Sequence, residues 1–383
     1  MDPFSLPFLG AAVVAFLAMR IGVPWMRARW WGLVNLVALA LAGGWKLAAA
    51  AAALSLVAWV GLFFLRPANS SRSSYAKLLL LVTGLSFVFY KGQLQDLIPR
   101  FSLVGWCLVA VSFSYVCLRL IDAIRAIAWE RAPLLDPLSL SGFLLPFHML
   151  LAGPIASYQE HLVLARPLLP QPLPFPAVVS GISAILTGLV LKAVVADAIR
   201  VATYGVDGFI IVESYAQALL VLLYLYFDFW GYSIAATGIG RMLGVPTPVN
   251  FHAPLLSPTI TAFWGNWHAS LGEWAKRNIY LPLQIALVRR FGIARANFAG
   301  IASMTVAFAV TGLWHRLDWR FLAWAAGMAL LLGVEKLVRD RFGPRIRRLP
   351  PRVRIMLRWL GPCYVIWLIS LGLWFTAPSV FRS

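Results

Sequence analysis

Apolar runs recur along the whole chain, separated by short polar turns. Each is about 15 to 20 residues long, close to the roughly 20 residues a helix needs to cross a bilayer core. The pattern predicts ten spans, at 4–19, 31–45, 47–65, 78–90, 101–118, 176–196, 209–226, 297–314, 319–338 and 359–375. The first run follows Asp2 rather than a basic leader and no small-residue cleavage site follows it, so it reads as a retained helix and not as a signal peptide.

Three stretches break the rhythm. Residues 136–154 place Pro137, Pro146, Gly142, Gly153 and Pro154 in or around an apolar run. That reads as a broken helix lining a cavity, or as an interfacial helix with turn residues, because irregular backbone at membrane depth survives only when protein or water satisfies it. Residues 245–251 carry two prolines and read as an extended linker. Ser257-Pro258 then reads as a helix start, with Ser as N-cap and Pro in the first turn. In one continuous helix from there, Trp264, Trp267, His268, Leu271 and Trp274 share a face, and Asn266, Glu273 and Arg277 point elsewhere. The expected fold class is an all-α polytopic membrane protein: about ten transmembrane helices plus re-entrant or interfacial helices, with no internal repeat and no soluble domain.

Composition supports this and adds a direction. Of 383 residues, 61% are hydrophobic and 12% charged, and the mean hydropathy is +0.80. A soluble domain is nearer one quarter charged. The net charge of +19 is gathered in short connections, at 20–29, 66–77, 119–131, 289–295 and 339–358. These read as cytoplasmic loops under the positive-inside rule, with attraction to anionic membrane lipids and no nucleic-acid partner. The cysteines Cys107, Cys117 and Cys363 have no metal or redox spacing, and Cys107 and Cys117 read as small buried residues. No metal site is expected.

Candidate chemistry is confined to a few polar side chains in apolar surroundings. There is no phosphate-binding P-loop, no His-Glu-x-x-His and no Gly-x-Ser-x-Gly elbow, which disfavours nucleotide enzymes, metalloproteases and serine hydrolases. Two of the five histidines, His268 and His315, each follow a tryptophan. A histidine near hydrocarbon is costly to keep without a use. His148 lies in the broken stretch, and His161 and His252 read as loop residues. Asp197 and Arg200, three apart, are spaced to pair on one helix face.

Several of these segments, in order, resemble the membrane-bound O-acyltransferase family. They are Leu150-Leu-Ala-Gly-Pro-Ile155, Lys192 to Asp197, Tyr226-Phe-Asp-Phe-Trp-Gly-Tyr-Ser233, Phe263-Trp-x-x-Trp-His268-x-Ser270-Leu271 and Gly312-Leu-Trp-His315. The wording is similar to the bacterial branch that acetylates alginate and transfers D-alanine to teichoic acids. The resemblance implies one integral-membrane domain over 1–383, with N-terminal helices at 1–111, a core at 112–324 and C-terminal helices at 325–383, around a tunnel. It implies that His315 is the catalytic histidine and His268 the second polar position. Ile234, Arg277 and Arg316 depart from the family pattern, which leaves the acceptor open.

The chemistry that follows is acyl transfer from a thioester to a hydroxyl. An imidazole, with an ordinary pKa near 6.5, is suited to remove the hydroxyl proton at neutral pH. His315 is the expected general base. His268 is expected to orient the acyl group or to hydrogen-bond the developing oxyanion. Trp264, Trp267 and Trp314 would line the substrate passage and exclude water, with Asn266 and Asp228 as supporting polar groups. No cofactor is expected to stay bound; acetyl-CoA or an acyl-carrier thioester is the expected donor. The acceptor is a hydroxyl of a polysaccharide or of a periplasmic acyl-transferring partner protein, at the bacterial inner membrane. A lipid or small-molecule acyltransferase is the alternative within the family. A transporter of a lipid-linked sugar is the alternative outside it, one that ordinarily shows paired repeats.

Overall fold

The computed structural model describes residues 4–21, 26–65, 72–94, 112–165, 175–205, 210 and 212–380. The first four helices are α1 (Leu6–Ile21), α2 (Arg27–Gly43), α3 (Trp45–Phe63) and α4 (Arg72–Leu94). Then come α5 (Phe113–Trp129), α6 (Pro137–Leu144), α7 (Phe175–Tyr204) and α8 (Tyr215–Leu243). Two short helices follow, α9 (Ile260–Asn266) and α10 (Ala269–Ala275), then α11 (Leu281–Phe291), α12 (Ala296–His315), α13 (Trp319–Arg347) and α14 (Pro351–Val380). Among the described residues the only β pairing is an isolated antiparallel bridge between Phe251 and Trp267.

Seven of the described helices are long and apolar enough to cross a membrane: α3, α4, α7, α8, α12, α13 and α14. Each overlaps an expected span, α8 only over 215–226 before it continues to Leu243. The spans expected at 4–19 and 31–45 are the shorter helices α1 and α2. Residues 101–111 of the expected span at 101–118 lie outside the described residues, as do 66–71, 95–100 and 166–174 of the expected loops. The protein is an all-α, multi-pass membrane protein.

Contacts divide the chain into two units, one of 1–189 with 231–248 and one of 190–230 with 249–383. In the first, α2 and α6 pack closely at two glycines. A Cβ on Gly142 would lie 2.6 Å from the Trp31 ring, and one on Gly32 would lie 2.0 Å from the Leu138 carbonyl oxygen. The broken stretch after α6 is almost wholly buried, so its unpaired backbone groups need partners. Asn35 supplies two, donating to the Leu145 carbonyl at 3.0 Å and accepting from the Phe147 amide at 2.7 Å. Arg119, fully buried, donates to the carbonyls of Leu144, Met149 and Pro154 at 3.0–3.2 Å. The stretch is therefore a protein-buried break rather than an interfacial helix.

Two expectations in this unit change: residues 119–129, expected in a cytoplasmic loop, belong to α5 with Arg119 buried, and His161 is not a loop residue. His161 is buried, in a short helical turn capped reciprocally by Ser157 and Glu160, and not exposed in a loop. His148 is buried as well, with Nε2 3.0 Å from the Thr247 hydroxyl. Cys117 is buried as expected.

In the second unit a core of Leu222, Ile260, Phe263, Met328, Leu332, Val365 and Ile369 joins α8, α9, α13 and α14. The Glu335 carboxylate on α13 receives the Ile260 amide at 2.5 Å, the Thr261 amide at 2.9 Å and the Thr261 hydroxyl at 2.7 Å, and it also bonds the Tyr364 hydroxyl. It neutralises unpaired N–H groups at the start of α9, where a negative charge is favoured. Gly361 of α14 lies against the chain just before α9, where a Cβ would stand 2.5 Å from the Pro258 carbonyl oxygen.

Candidate active site

The stretch expected to form one helix from Ser257 is two helices. Thr259, not Ser257, is the N-cap of α9; its hydroxyl accepts from the Ala262 amide at 3.0 Å. The helix stops at Asn266, Trp267 is extended, and His268 adopts the left-handed conformation, φ 46°, before α10 begins. The shared face inferred from helical spacing therefore ends at the break.

The cause lies in the linker. Residues 250–252 run extended beside the break, so that the His252 amide bonds the Asn266 carbonyl at 3.0 Å and the Ala269 amide bonds the Asn250 carbonyl at 2.9 Å. The Asn250 side chain then accepts from the Ser270 hydroxyl at 2.6 Å, with both residues buried. These contacts pin the backbone on both sides of His268. A non-glycine residue at positive φ carries strain and persists when its surroundings over-determine it; such residues cluster at functional sites.

His268 is 5% exposed. Its ring stands edge-on to Phe229 at 4.7 Å and tilted to Trp314 at 6.5 Å. Its Nε2 is buried, with no hydrogen-bond partner among the described residues. Burial, with the nearby His315 adding to it, pulls the His268 pKa from 6.5 down to about 3. The ring is thus a neutral imidazole at ordinary pH, able to offer a hydrogen bond or a lone pair but carrying no charge.

His315 is the last residue of α12, and it is exposed. Its ring lies 4.8 Å from that of Trp314 and stacks at 6.3 Å on Phe321. The helix turns out at this point: Arg316 is extended, and Asp318 caps α13 through the Arg320 amide at 2.9 Å. Trp314 is buried. The two histidines therefore flank one indole, one imidazole accessible and the other enclosed.

The remaining expected residues separate into three groups. Trp267 stacks on Phe263 at 5.5 Å and on Tyr226 at 6.1 Å and meets Phe251 edge-on, forming an aromatic wall continuous through Phe229 with His268. Trp264 meets this wall edge-on at Phe263, 5.2 Å away, and extends it to Phe308 and Trp324. Asn266 donates to the Ser257 hydroxyl at 3.1 Å and serves the backbone before α9 rather than the histidines. Asp228 forms an ion pair with Lys192, which sits in a widened turn of α7 at Val190–Ala196. Such π-type turns are frequent at functional sites. Asp197 and Arg200 pair at 2.8 Å, as their spacing predicts.

Phe229, Asn250 and Glu335 escaped the sequence reading as site residues. Phe229 lay within the Tyr226–Ser233 motif that carried the resemblance, so a signal for it existed. Asn250 and Glu335 act through partners 20 and 75 positions away, and nothing local marks them.

Comparison with known proteins identifies relatives and a family. The peptidoglycan O-acetyltransferase of Helicobacter pylori is 30% identical over 218 residues, 56% of this chain and 39% of that protein. A protein of Azotobacter vinelandii named probable alginate O-acetylase AlgI is 32% identical over 148 residues, 39% of this chain and 27% of its own. The teichoic acid D-alanyltransferase of Streptococcus thermophilus is 32% identical over 100 residues, 26% of this chain and 24% of its own. The matched part of this chain thus spans less than half the length of each of these relatives. Residues 85–376, which hold both histidines and the aromatic wall, match the membrane-bound O-acyltransferase family, and the chain belongs to that family.

Proposed function

We propose that this protein transfers an acyl group, acetyl, from a thioester donor to a hydroxyl acceptor within the membrane, in the O-acetylation of a cell-envelope polysaccharide. The observation that carries the reading is the pair of imidazoles around Trp314, His315 accessible and His268 buried and neutral. In the reaction, the acceptor O–H gives its proton to the His315 imidazole as its oxygen bonds the thioester carbonyl carbon. The C–S bond then breaks, and the departing thiolate takes the proton back from the imidazolium. His268, neutral and with an unused ring nitrogen, is suited to hydrogen-bond the carbonyl oxygen as negative charge develops there. The tryptophans would keep out water, which otherwise hydrolyses the donor.

The donor in this reading is acetyl-CoA or an acyl-carrier thioester reached from the cytoplasm, and the site is in a bacterial inner membrane. The acceptor is the polysaccharide itself or a periplasmic partner protein that passes the acetyl group on. The names of the peptidoglycan- and alginate-acetylating relatives support a polysaccharide, and that of the D-alanyl-transferring relative supports acyl transfer more broadly.

The test is purified protein supplied with radiolabelled acetyl-CoA and glycan oligomers. General-base help is worth about 10²- to 10⁴-fold, so His315→Ala is expected to lower turnover by that range while the melting temperature holds. His268→Ala is expected to cost about 10²- to 10³-fold, the magnitude of a lost oxyanion donor. Turnover unchanged in His315→Ala would overturn the assignment of the base.

A further inference from the structure

The turn between α13 and α14 carries the densest charge in the chain, eight arginines between positions 339 and 358 against one acidic residue, Asp340. Arg341, Arg345 and Arg348 fall at i, i+4 and i+7, on one side of the last turns of α13. With Asp340 and Pro344 they line an open groove. Asp340 is already engaged, 2.5 Å from Lys336. Among the described residues Arg341, Arg345 and Arg348 make no ion pair; Arg345 only rests over the Phe342 ring at 5.9 Å.

Stabilisation of the helix does not account for so much charge. Cations at the C-terminal end of α13 do complement its dipole, but one or two suffice. Arg352, in the first turn of α14, stands where the dipole disfavours a cation. Like charges held this close repel one another unless an anion stands between them. Exposed apolar residues occur in the same stretch of chain, among them Phe342, Ile346 and Leu349. Guanidinium forks lining one groove suit bidentate hydrogen bonding to a phosphate.

We propose that this groove is a phosphate-binding site, with Arg341, Arg345 and Arg348 as its ligands. The phosphate comes either from an anionic lipid headgroup or from a soluble phosphorylated molecule, and the two are separable by experiment. The inference stands independently of the role of His315.

The test uses the full-length protein in neutral detergent, with binding read from the rise in melting temperature. The probes are dioctanoyl-phosphatidylglycerol, dioctanoyl-phosphatidylcholine and adenosine 3′,5′-bisphosphate. Each cation near an anionic surface contributes about fivefold in affinity, so the triple variant R341Q/R345Q/R348Q is expected to bind on the order of 100-fold more weakly. The wild-type affinity is expected to fall with added salt and that of the variant to change less. R289Q/R290Q, altered at another exposed arginine pair, is expected to bind as wild type does. Binding of phosphatidylglycerol alone identifies a lipid headgroup, and binding of the bisphosphate alone or of both identifies a broader phosphate site; each supports the proposal. It is overturned if neither anionic probe binds more tightly than phosphatidylcholine, or if the R289Q/R290Q variant loses as much as the triple variant. The single variants R341Q and R348Q, each expected to lose about fivefold, carry the same test if the triple variant does not fold.

Discussion

Replacing Asn250 with alanine tests whether the linker holds the candidate active site in place. The Asn250 side-chain oxygen accepts from the Ser270 hydroxyl at 2.6 Å and from the Ser270 amide at 3.4 Å, and the two residues are 1% and 4% exposed. A neutral hydrogen bond contributes about 1 kcal/mol net, but a buried group left without its partner costs about 1–3 kcal/mol. Asn250→Ala deprives the Ser270 hydroxyl and amide together and is expected to cost about 2–3 kcal/mol. Ser270→Ala deprives only one lone pair on Asn250, which keeps the amide bond, and is expected to cost about 1 kcal/mol. In the double variant the hydroxyl is absent, so the two costs are expected to fall short of their sum by about 1 kcal/mol. His268 lies two residues before Ser270, and a misplacement of about 1 Å at a reacting group can cost 10²-fold in rate. Acetyl transfer by Asn250→Ala is therefore expected to drop in kcat while the KM for acetyl-CoA holds. The assay is a set of melting curves on the four proteins with acetyl-transfer kinetics on each. Strictly additive losses, or an Asn250→Ala protein as stable and active as wild type, would refute the reasoning.

Two further sets of outcomes follow from the buried histidines and from the Lys192–Asp228 pair. His148, His161 and His268 are all pulled by burial to a pKa of about 3, so the unfolded chain, with histidines near 6.5, binds more protons between those values. Stability is accordingly expected to be flat above about pH 7 and to fall as pH drops from 6.5 towards 3, and His148→Gln is expected to make that fall shallower; melting temperature against pH measures both. Lys192→Met is expected to lower the melting temperature by leaving Asp228 without its ion-pair partner, whereas Lys192→Met with Asp228→Asn is expected to recover most of that loss, read by the same melting assay.

The long helices were legible because their cause is local. A run of about 20 apolar residues satisfies its own backbone hydrogen bonds and is soluble in lipid wherever its neighbours lie. The break after α6 was legible for a similar reason, since Pro146 and Pro154 offer no backbone N–H to a helical ladder and glycine disfavours helix. His268 and His315 stood out because polar groups are rare in such runs. The geometry around them was not legible. Helical spacing gave His268 a place on a continuous face, but the backbone turns at that residue because residues 250–252 lie alongside and take its neighbours' hydrogen bonds. Asn250 meets Ser270 across 20 residues, and Glu335 meets the start of α9 across 75, contacts that no local pattern encodes. Sequence by itself thus determined which segments are long and apolar enough to cross a membrane and which polar side chains are candidates for chemistry. Tertiary structure decided that one imidazole is enclosed and neutral while the other is open, because burial and hydrogen-bond pairing depend on which distant segments pack together.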